Sequence, residues 1–188
     1  MSPSNSTLKP TTYIALLRGI NVGGHAVSME RLRGLFTELG LRDVRSFIQT
    51  GNVFFESDHP DRSSLERTIH EYLTKHLGYS VPVFLRTVSD MEKMLLEAPF
   101  GAMELTPETR HLVVFISASL PANLELPAVS PTGEFEILAA TASEVFVLLR
   151  TVKGKSGNVV QWIERTFQVA ASARFYHTTR KMLEAAQS

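Results

Sequence analysis

The spacing of hydrophobic residues along the chain predicts short strands that alternate with amphipathic helices. Residues 13–17 form a short apolar run that is typical of a buried strand. After a glycine-containing polar stretch, leucine and phenylalanine recur at helical spacing, with Ser28 as the predicted N-cap and Gly40 as the predicted stop. The same reasoning gives the other elements of the first half: strands at residues 44–48, 53–56 and 81–85, and a helix that a capping box at residues 63–66 opens and Gly78 closes.

The second half has a weaker version of the same pattern. Residues 89–92 are predicted to cap a connecting helix that ends near Pro99. Strands are predicted at residues 112–116, 135–139 and 145–149, one helix at residues 159–167 and a last helix at residues 178–186. The proline-containing stretch at residues 120–129 could hold one short helix.

The order strand, helix, strand, strand, helix, strand in the first half is the ferredoxin-like signature. We therefore predict an α+β protein of two ferredoxin-like halves, the second degenerate, in which helices pack on antiparallel or mixed sheets. The predicted boundaries are a flexible leader at residues 1–12, a first half at 13–87, a connecting helix and loop at 88–110, and a second half with a basic C-terminal segment at 111–188.

This topology predicts that two polar segments far apart in sequence meet in space. The first two strands of a ferredoxin-like half are parallel, because a right-handed crossover through a helix joins them. The loop after the first strand (residues 18–27) and the turn after the second (residues 49–52) then lie at one edge of the sheet, to which residues 78–80 also return. The segments contain Arg18, Gly19, Asn21, Gly23, Gly24, His25, Gln49, Thr50, Gly51 and Asn52.

These residue types are the ones expected of an anion-binding site. Glycine adopts positive φ and lets a ligand approach the main chain. Successive N–H groups near the start of a helix attract anions, and the guanidinium of Arg18 suits phosphate or carboxylate. We therefore predict a small ligand that carries one of these groups. The competing hypothesis is a scaffold, in which the glycines make tight turns, Asn52 shapes a hairpin, and Arg18 pairs with Glu30 or another carboxylate.

Two widespread phosphate-binding motifs do not match the chain. GINVGG lacks the spacing of G-x-G-x-x-G, so a Rossmann dinucleotide site is not predicted. The GKS at residues 154–156 lacks the glycine that a Walker A loop requires five positions before Gly154, where Leu149 stands. The sequence therefore indicates no cofactor.

Composition narrows the class of protein. The chain has 188 residues, of which 44% are apolar, enough for a real core. Its 19 basic and 19 acidic residues cancel, so net charge favours neither nucleic acid nor an anionic membrane. The absence of cysteine excludes disulfides, thiolate zinc sites and cysteine nucleophiles. Because no secretory signal and no run of ~20 apolar residues occurs, we expect a soluble, cytoplasmic protein without a membrane span.

The histidines give little support for a metal or a catalytic centre. None of the six lies three or four positions from another, and H-E-x-x-H does not occur, so no metal site is predicted. His25 and His177 could act as general bases, although surface histidine is the commoner role. Ser28 is better explained as a helix cap than as a nucleophile. The sequence leaves open whether the protein is an enzyme, and it assigns no catalytic residue.

A basic segment near the C terminus gives alternative hypotheses. Residues 150–188 contain seven Lys or Arg and two Asp or Glu. Such charges usually lie on a solvated face, but they could also serve a noncatalytic module for nucleic acid or a protein partner, with Phe175 and Tyr176 as stacking rings. The aromatic RNP pattern is absent, which favours a small ligand over RNA. A third hypothesis is a structural dimeriser without a ligand. The candidate basic residues for this role are Lys153, Lys155, Arg174, Arg180 and Lys181.

The N-terminal motifs resemble a known family. RGINVGG at residues 18–24, the sequence MERL at residues 29–32 and QTGNVFF at residues 49–55 resemble the family catalogued as domain of unknown function 1697, whose usual pattern is RGINVGG, M-x-x-L and then Q-S-G-N-V. The resemblance extends from Tyr13 to about Leu183. Thr50 stands at the usual serine position and retains a hydroxyl.

The C-terminal motif of this family matches less completely. The family pattern T-x-R-N-W-x-T, followed by a lysine, corresponds to SARFYHT at residues 172–178 and then Lys181. Arg174, Thr178 and Lys181 fit, whereas Phe175 and Tyr176 depart from Asn-Trp. If the second half packs as a copy beside the first, these three residues are candidate supports of the ligand site. The resemblance implies an α+β protein of two similar halves, but the family has no established activity and therefore implies no reaction.

Overall fold

The computed structural model describes residues 10–101, 103, 105–154 and 156–188. The chain divides into two compact units between Val88 and Ser89. Each unit has its own antiparallel sheet, and the mixed α+β class that was predicted is confirmed. The predicted leader lies outside the described residues except for residues 10–12, of which Thr11 and Thr12 form the start of the first strand.

The first unit has the predicted order of elements. They are β1 (Thr11–Leu17), α1 (Met29–Glu38), β2 (Arg42–Phe47), β3 (Asn52–Ser57), α2 (Arg62–Leu77) and β4 (Val83–Thr87). The strands form a sheet in the order β2-β3-β1-β4, in which all neighbours are antiparallel. Because β1 and β2 both pair with β3, they run in the same direction, and both end at the same edge of the sheet.

The core of the first unit lies between one face of this sheet and its two helices. Tyr13, Ala15 and Leu17 alternate along β1 with residues of the opposite face and are buried on this one. Against them α1 presents Leu32 and Phe36, and α2 presents Ile69, which have no exposed surface. Burying a side chain of this size contributes about 1.5–3 kcal/mol. This packing holds the two helices on the sheet and fixes the edge at which β1 and β2 end.

The helix starts follow local capping chemistry, with one difference from the prediction. Ser28 is the N-cap of α1, and its Oγ accepts a hydrogen bond from the N–H of Arg31 at 3.1 Å. The capping box predicted at residues 63–66 is wrong, since α2 begins at Arg62. Its N-cap is Asp61, whose carboxylate accepts from the N–H of Ser63 at 2.9 Å. Aspartate caps as well as serine does, so the earlier of the two candidates starts the helix.

The second unit contains a larger sheet. Its elements are α3 (Val88–Glu97), which begins at the boundary, β5 (Thr109–Ile116), β6 (Ala128–Val129), β7 (Phe135–Ala140), β8 (Glu144–Arg150), α4 (Val159–Phe167), β9 (Ala171–Phe175) and α5 (Tyr176–Gln187). The strand order is β6-β7-β8-β5-β9. Without β6, the strands β7, β8, β5 and β9 take the places that β2, β3, β1 and β4 have in the first unit.

The structure differs from expectation at three places in the second unit. Residues 120–129 hold no helix, because Pro121 and Pro127 restrict the backbone and remove N–H donors; residues 128–129 pair with β7 instead. The strand β9 was not predicted, since its sequence ASARF has no β-branched residue. These residues form a strand because they pair with β5, and not because of their intrinsic propensity. The helix α3 also begins at Val88, before the residues predicted to cap it.

Each unit protects its last strand in the same way. Glu66 on α2 accepts a hydrogen bond from the N–H of Leu85 on β4 at 2.9 Å. Glu164 on α4 accepts from the N–H of Ala171 on β9 at 3.0 Å. Both strands are at the end of their sheets, where outward N–H groups would otherwise have no strand partner. A glutamate from the preceding helix therefore satisfies part of each edge.

Candidate functional site

The loop after β1 and the turn between β2 and β3 lie against each other, as the topology predicts. The N–H of Leu17 donates to the carbonyl of Gly51 at 2.8 Å. Nδ2 of Asn21 donates to the carbonyl of Gln49, 28 positions away in sequence, at 3.1 Å. The structure therefore brings together the two motif segments at one edge of the first unit.

Gly51 is the point at which the two segments approach most closely. It is buried and has a φ of +74°. A Cβ at this position would lie 2.9 Å from the Cβ of Ile20 and 3.2 Å from the Cβ of Leu17. Only glycine fits such a contact, and only glycine adopts this φ without strain. The fold itself requires Gly51, which is the role that the scaffold hypothesis assigns to it.

The two asparagines of the motifs also hold the loops in shape. Oδ1 of Asn21 accepts from the N–H of Val27 at 2.8 Å, and its Nδ2 bonds the turn. Asn52 is fully buried, and its Nδ2 donates to the carbonyl of Phe47 at 3.3 Å and to Oγ1 of Thr50 at 3.0 Å. These amide groups are thus engaged within the protein and preorganise the edge.

A third segment, residues 78–80, reaches the same edge. The N–H of Arg18 donates to the carbonyl of Pro82 at 3.0 Å, which fixes the start of the loop against the chain that leads into β4. The imidazole of His25 stacks on the ring of Tyr79, with centroids 3.9 Å apart and 20° between the planes. Burial raises the pKa of Tyr79 above its usual value. The loop therefore contacts both of its predicted neighbours.

A cleft of about 370 Å³ opens between the loop and the turn. Gly23 and Gly24, in the adjacent loop, are exposed and have φ of +60° and +89°. Apart from their chain neighbours, no atom of the described residues lies within 4 Å of the place that a Cβ would take in either residue. Gly51 is required by a close contact, whereas Gly23 and Gly24 are required only by their positive φ. Within the described part of the chain, the space beside these two glycines is empty. The cleft is lined by Asn21, Ala26, Val27, Ser28, Met29 and Gln49.

The cleft lies at the N-terminal end of α1, where the helix carries partial positive charge. The first N–H groups of a helix have no partner within it; in α1 the Ser28 hydroxyl serves the N–H of Arg31, while Met29 lines the cleft. The exposed carboxylate of Glu30 in the same turn opposes an anion. The helix end would attract an anionic ligand and Glu30 would repel it. Tight binding therefore requires a further positive charge.

The candidate residues of the C-terminal motif belong to the second unit. Nη1 of Arg174 on β9 donates to Oγ of Ser172 at 2.9 Å and to the carbonyl of Ala173 at 2.8 Å. Desolvation of its guanidinium lowers the pKa of Arg174 to about 10, so it remains charged at neutral pH. Thr178 is half-buried and Lys181 is exposed, and they lie three positions apart on α5. Their participation in the site remains a prediction.

The basic segment presents an aromatic pair at its surface. The rings of Phe175 and His177 stack with centroids 5.6 Å apart, and Phe175 is 42% exposed. Arg180 and Lys181 on α5 are exposed, and Lys155 lies outside the described residues. Exposed rings beside positive charges are the elements that single-stranded nucleic acids bind.

One unusual residue has no role in the predicted site. His111 at the start of β5 is buried, and its Nε2 has no hydrogen-bond partner among the described residues. Its ring stacks on Phe100 at 4.3 Å and meets the edge of Tyr176. Desolvation lowers the pKa of His111 below its usual value. Its position directly before the apolar run LVVF was the only sequence signal of burial.

Two kinds of feature are not found in the described part of the chain. No group of three or more histidines and carboxylates is arranged to hold a metal ion among these residues. None of the described helices combines the length and the apolar surface that a membrane crossing demands. The geometry thus directs attention to the cleft of the first unit.

Comparisons with other proteins define the family but not a reaction. The family described as protein of unknown function (DUF1697) matches residues 11–146, and the chain belongs to it. No curated protein matches the chain. Among solved structures, the conserved bacterial protein SP0830 from Streptococcus pneumoniae is similar in fold, with a TM-score of 0.70 and 21% sequence identity over 96% of this chain and 100% of that one. At this identity the likeness concerns the fold alone.

Proposed function

We propose that this protein binds a small ligand bearing phosphate or carboxylate at the edge of the first unit. The observation that carries the proposal is the cleft of about 370 Å³ at the start of α1, between the RGINVGG loop and the QTGN turn. Hydrogen bonds from Asn21 and Leu17 hold the walls of this cleft in place. A preformed concave site of this kind binds without the cost of ordering two loops.

The chemistry of the cleft favours an anionic group. The helix start and the glycine-bearing loop supply N–H groups, and Arg18, at the beginning of the loop, supplies a full positive charge. We assign the binding contacts to Arg18, to the main chain of the glycine loop, and to Gln49 and Thr50, both of which are exposed. Asn21 and Asn52 position these segments.

Ligand titration tests this proposal. Ribose 5-phosphate, adenosine monophosphate and succinate are screened by thermal shift, because a ligand that binds only the folded state raises its stability. A bound ligand is then titrated against Arg18→Ala by calorimetry. We expect the loss of a charge-assisted hydrogen bond, worth about 1.5–3 kcal/mol, to raise Kd roughly ten- to hundredfold.

The control is Arg67→Ala, which removes the same charge from an exposed position near the start of α2. This variant should bind as the wild type does. The assignment of the cleft is wrong if Arg18→Ala, with its fold intact by circular dichroism, keeps wild-type affinity. It is equally wrong if none of the three probes stabilises the protein at millimolar concentration.

A second candidate function has one observation in its favour, the exposed Phe175–His177 ring pair near Arg180 and Lys181. It would suit a noncatalytic module that binds single-stranded nucleic acid. Fluorescence anisotropy with a labelled oligonucleotide distinguishes the two functions, since binding that tracks phosphates weakens steeply between about 50 and 200 mM salt. Binding that ignores salt, or no binding, removes this candidate.

A further inference from the structure

Two histidine–tyrosine ring pairs of the first unit have similar geometry but different hydrogen bonding. His25 stacks on Tyr79 with centroids 3.9 Å apart, and His76 lies on Tyr72 with centroids 4.0 Å apart. The hydroxyl of Tyr72 donates to Oε2 of Glu38 at 2.8 Å. The hydroxyl of Tyr79 is buried and has no partner among the described residues. The Tyr72 hydroxyl is thus engaged within the protein, whereas the hydrogen-bonding capacity of the Tyr79 hydroxyl is left for a ligand.

His25 is carried by a loop that is held by hydrogen bonds at its base and at its tip. At the base, Asn21 accepts from the N–H of Val27 at 2.8 Å. At the tip, the N–H of His25 donates to the carbonyl of Val22 at 3.1 Å, across two exposed glycines with positive φ that have no neighbour among the described residues within 4 Å of their Cβ positions. Rotation of the His25 side chain can move the imidazole away from Tyr79 without breaking this turn or disturbing the core, because His25 is exposed.

We propose that His25 occupies, on the ring of Tyr79, the place of a planar ring of the ligand. This inference rests on the proposed function, and it names the class of ligand as a mononucleotide. His25 adjoins Ala26, which lines the cleft, so a phosphate at the helix start and a base on Tyr79 belong to neighbouring positions. A nucleobase has a larger stacking surface than imidazole, and stacking of bases on aromatic side chains is a general mode of recognition.

Calorimetric titration of adenosine monophosphate and ribose 5-phosphate tests this inference. The two probes share the phosphate and the ribose and differ in the base, so we expect the wild type to bind the nucleotide more tightly. Tyr79→Leu should abolish that difference. His25→Ala should tighten nucleotide binding by about two- to tenfold, which corresponds to one aromatic contact, and should leave ribose 5-phosphate unchanged.

The control is His76→Ala, which removes the matched imidazole from Tyr72 and should change neither affinity. If neither probe binds the wild type, the proposed function itself fails. If both probes bind with equal affinity and His25→Ala alters neither, the site stands and the inference is overturned. Weaker nucleotide binding by His25→Ala also overturns it. Where Tyr79→Leu does not fold, His25→Ala and Tyr79→Phe, which should keep the nucleotide preference, decide the question.

Discussion

The two units build the same order of four strands with different first crossovers. In the first unit, the glycine loop at residues 18–28 and the helix α1 connect β1 to β2. In the second unit, residues 117–134 connect β5 to β7 through a proline-containing segment and the short strand β6. The strand order therefore does not depend on a crossover helix. The first unit makes this crossover with a loop and a helix, and the cleft lies where the two meet.

The largest expected effect concerns the glycine that joins loop and turn in the first unit. In Gly51→Ala, the new Cβ would lie 2.9 Å from Ile20 at a φ of +74°. Overpacking and left-handed strain together should lower the free energy of unfolding by about 2–4 kcal/mol. Urea denaturation measures this change.

The matched variant in the second unit is Gly133→Ala. Its φ is +73°, but no atom in the described part of the chain lies within 4 Å of the Cβ position, apart from the chain neighbours. Strain alone should lower stability by about 1–2 kcal/mol. Equal losses for Gly51→Ala and Gly133→Ala would show that the close approach of loop and turn does not contribute.

The second prediction concerns the asparagine that closes the glycine loop. Asn21→Ala removes the hydrogen bonds to Val27 and Gln49 and places alanine at a φ of 56°. We expect a loss of about 1–2 kcal/mol in the free energy of unfolding and faster amide exchange at Val27. Asn158→Ala, which removes the N-cap bond to Gln161 in the second unit, should cost a similar ~1 kcal/mol. It should not alter exchange at Val27, and a change there would refute a local role for Asn21.

The third prediction tests the feature that the two units share, the glutamate at the edge strand. Glu66→Ala and Glu164→Ala each leave a backbone N–H of the edge strand without its carboxylate acceptor. Both variants should lose about 1 kcal/mol of stability. If one variant lost much stability and the other lost none, the two glutamates would not stabilise their edge strands in the same way.

Burial makes Glu66 sensitive to pH as well. Desolvation raises the pKa of Glu66 above its usual value in the folded protein. Since the folded state binds its proton more readily than the unfolded state, stability should rise as pH falls from 7 through that raised pKa. Glu66→Gln keeps an acceptor for Leu85 and should lack this rise, which denaturation at several pH values measures.

The smallest expected effect comes from a histidine that has no buried counterpart in the first unit. Desolvation lowers the pKa of His111, so the unfolded state takes up a proton at a higher pH than the folded state does. Stability that is present above pH 6.5 should therefore decline as pH falls below this value. His111→Phe should flatten the decline, and an unchanged pH profile would contradict the assignment to His111.

The sequence predicted local features of the fold better than features that depend on tertiary contacts. The span of α1 was predictable, because Ser28 and the spacing of buried leucines are local signals. The strand β9 was not, since ASARF becomes a strand only through pairing with β5. The start of α2 was misplaced because Asp61 and Ser63 are both good caps, and sequence alone does not rank them.

The candidate site shows the same division. Strand direction alone predicted that the RGINVGG loop and the QTGN turn meet, and the structure places them in hydrogen-bond contact. The sequence did not predict the individual roles of Asn21, Asn52 and Gly51. These residues act through contacts that a local sequence pattern does not reveal. The burial of the Tyr79 hydroxyl, away from any partner that the structure describes, likewise depends on packing that no local pattern encodes.

Chemical-shift mapping with ribose 5-phosphate on the 15N-labelled protein decides whether the cleft of the first unit is the binding site. We predict saturable shifts that are largest for backbone amides of residues 23–31 and 49–51, at the glycine loop, the start of α1 and the QTGN turn. Shifts confined to residues 174–181, or no saturable shift at all, would contradict a ligand site at this edge.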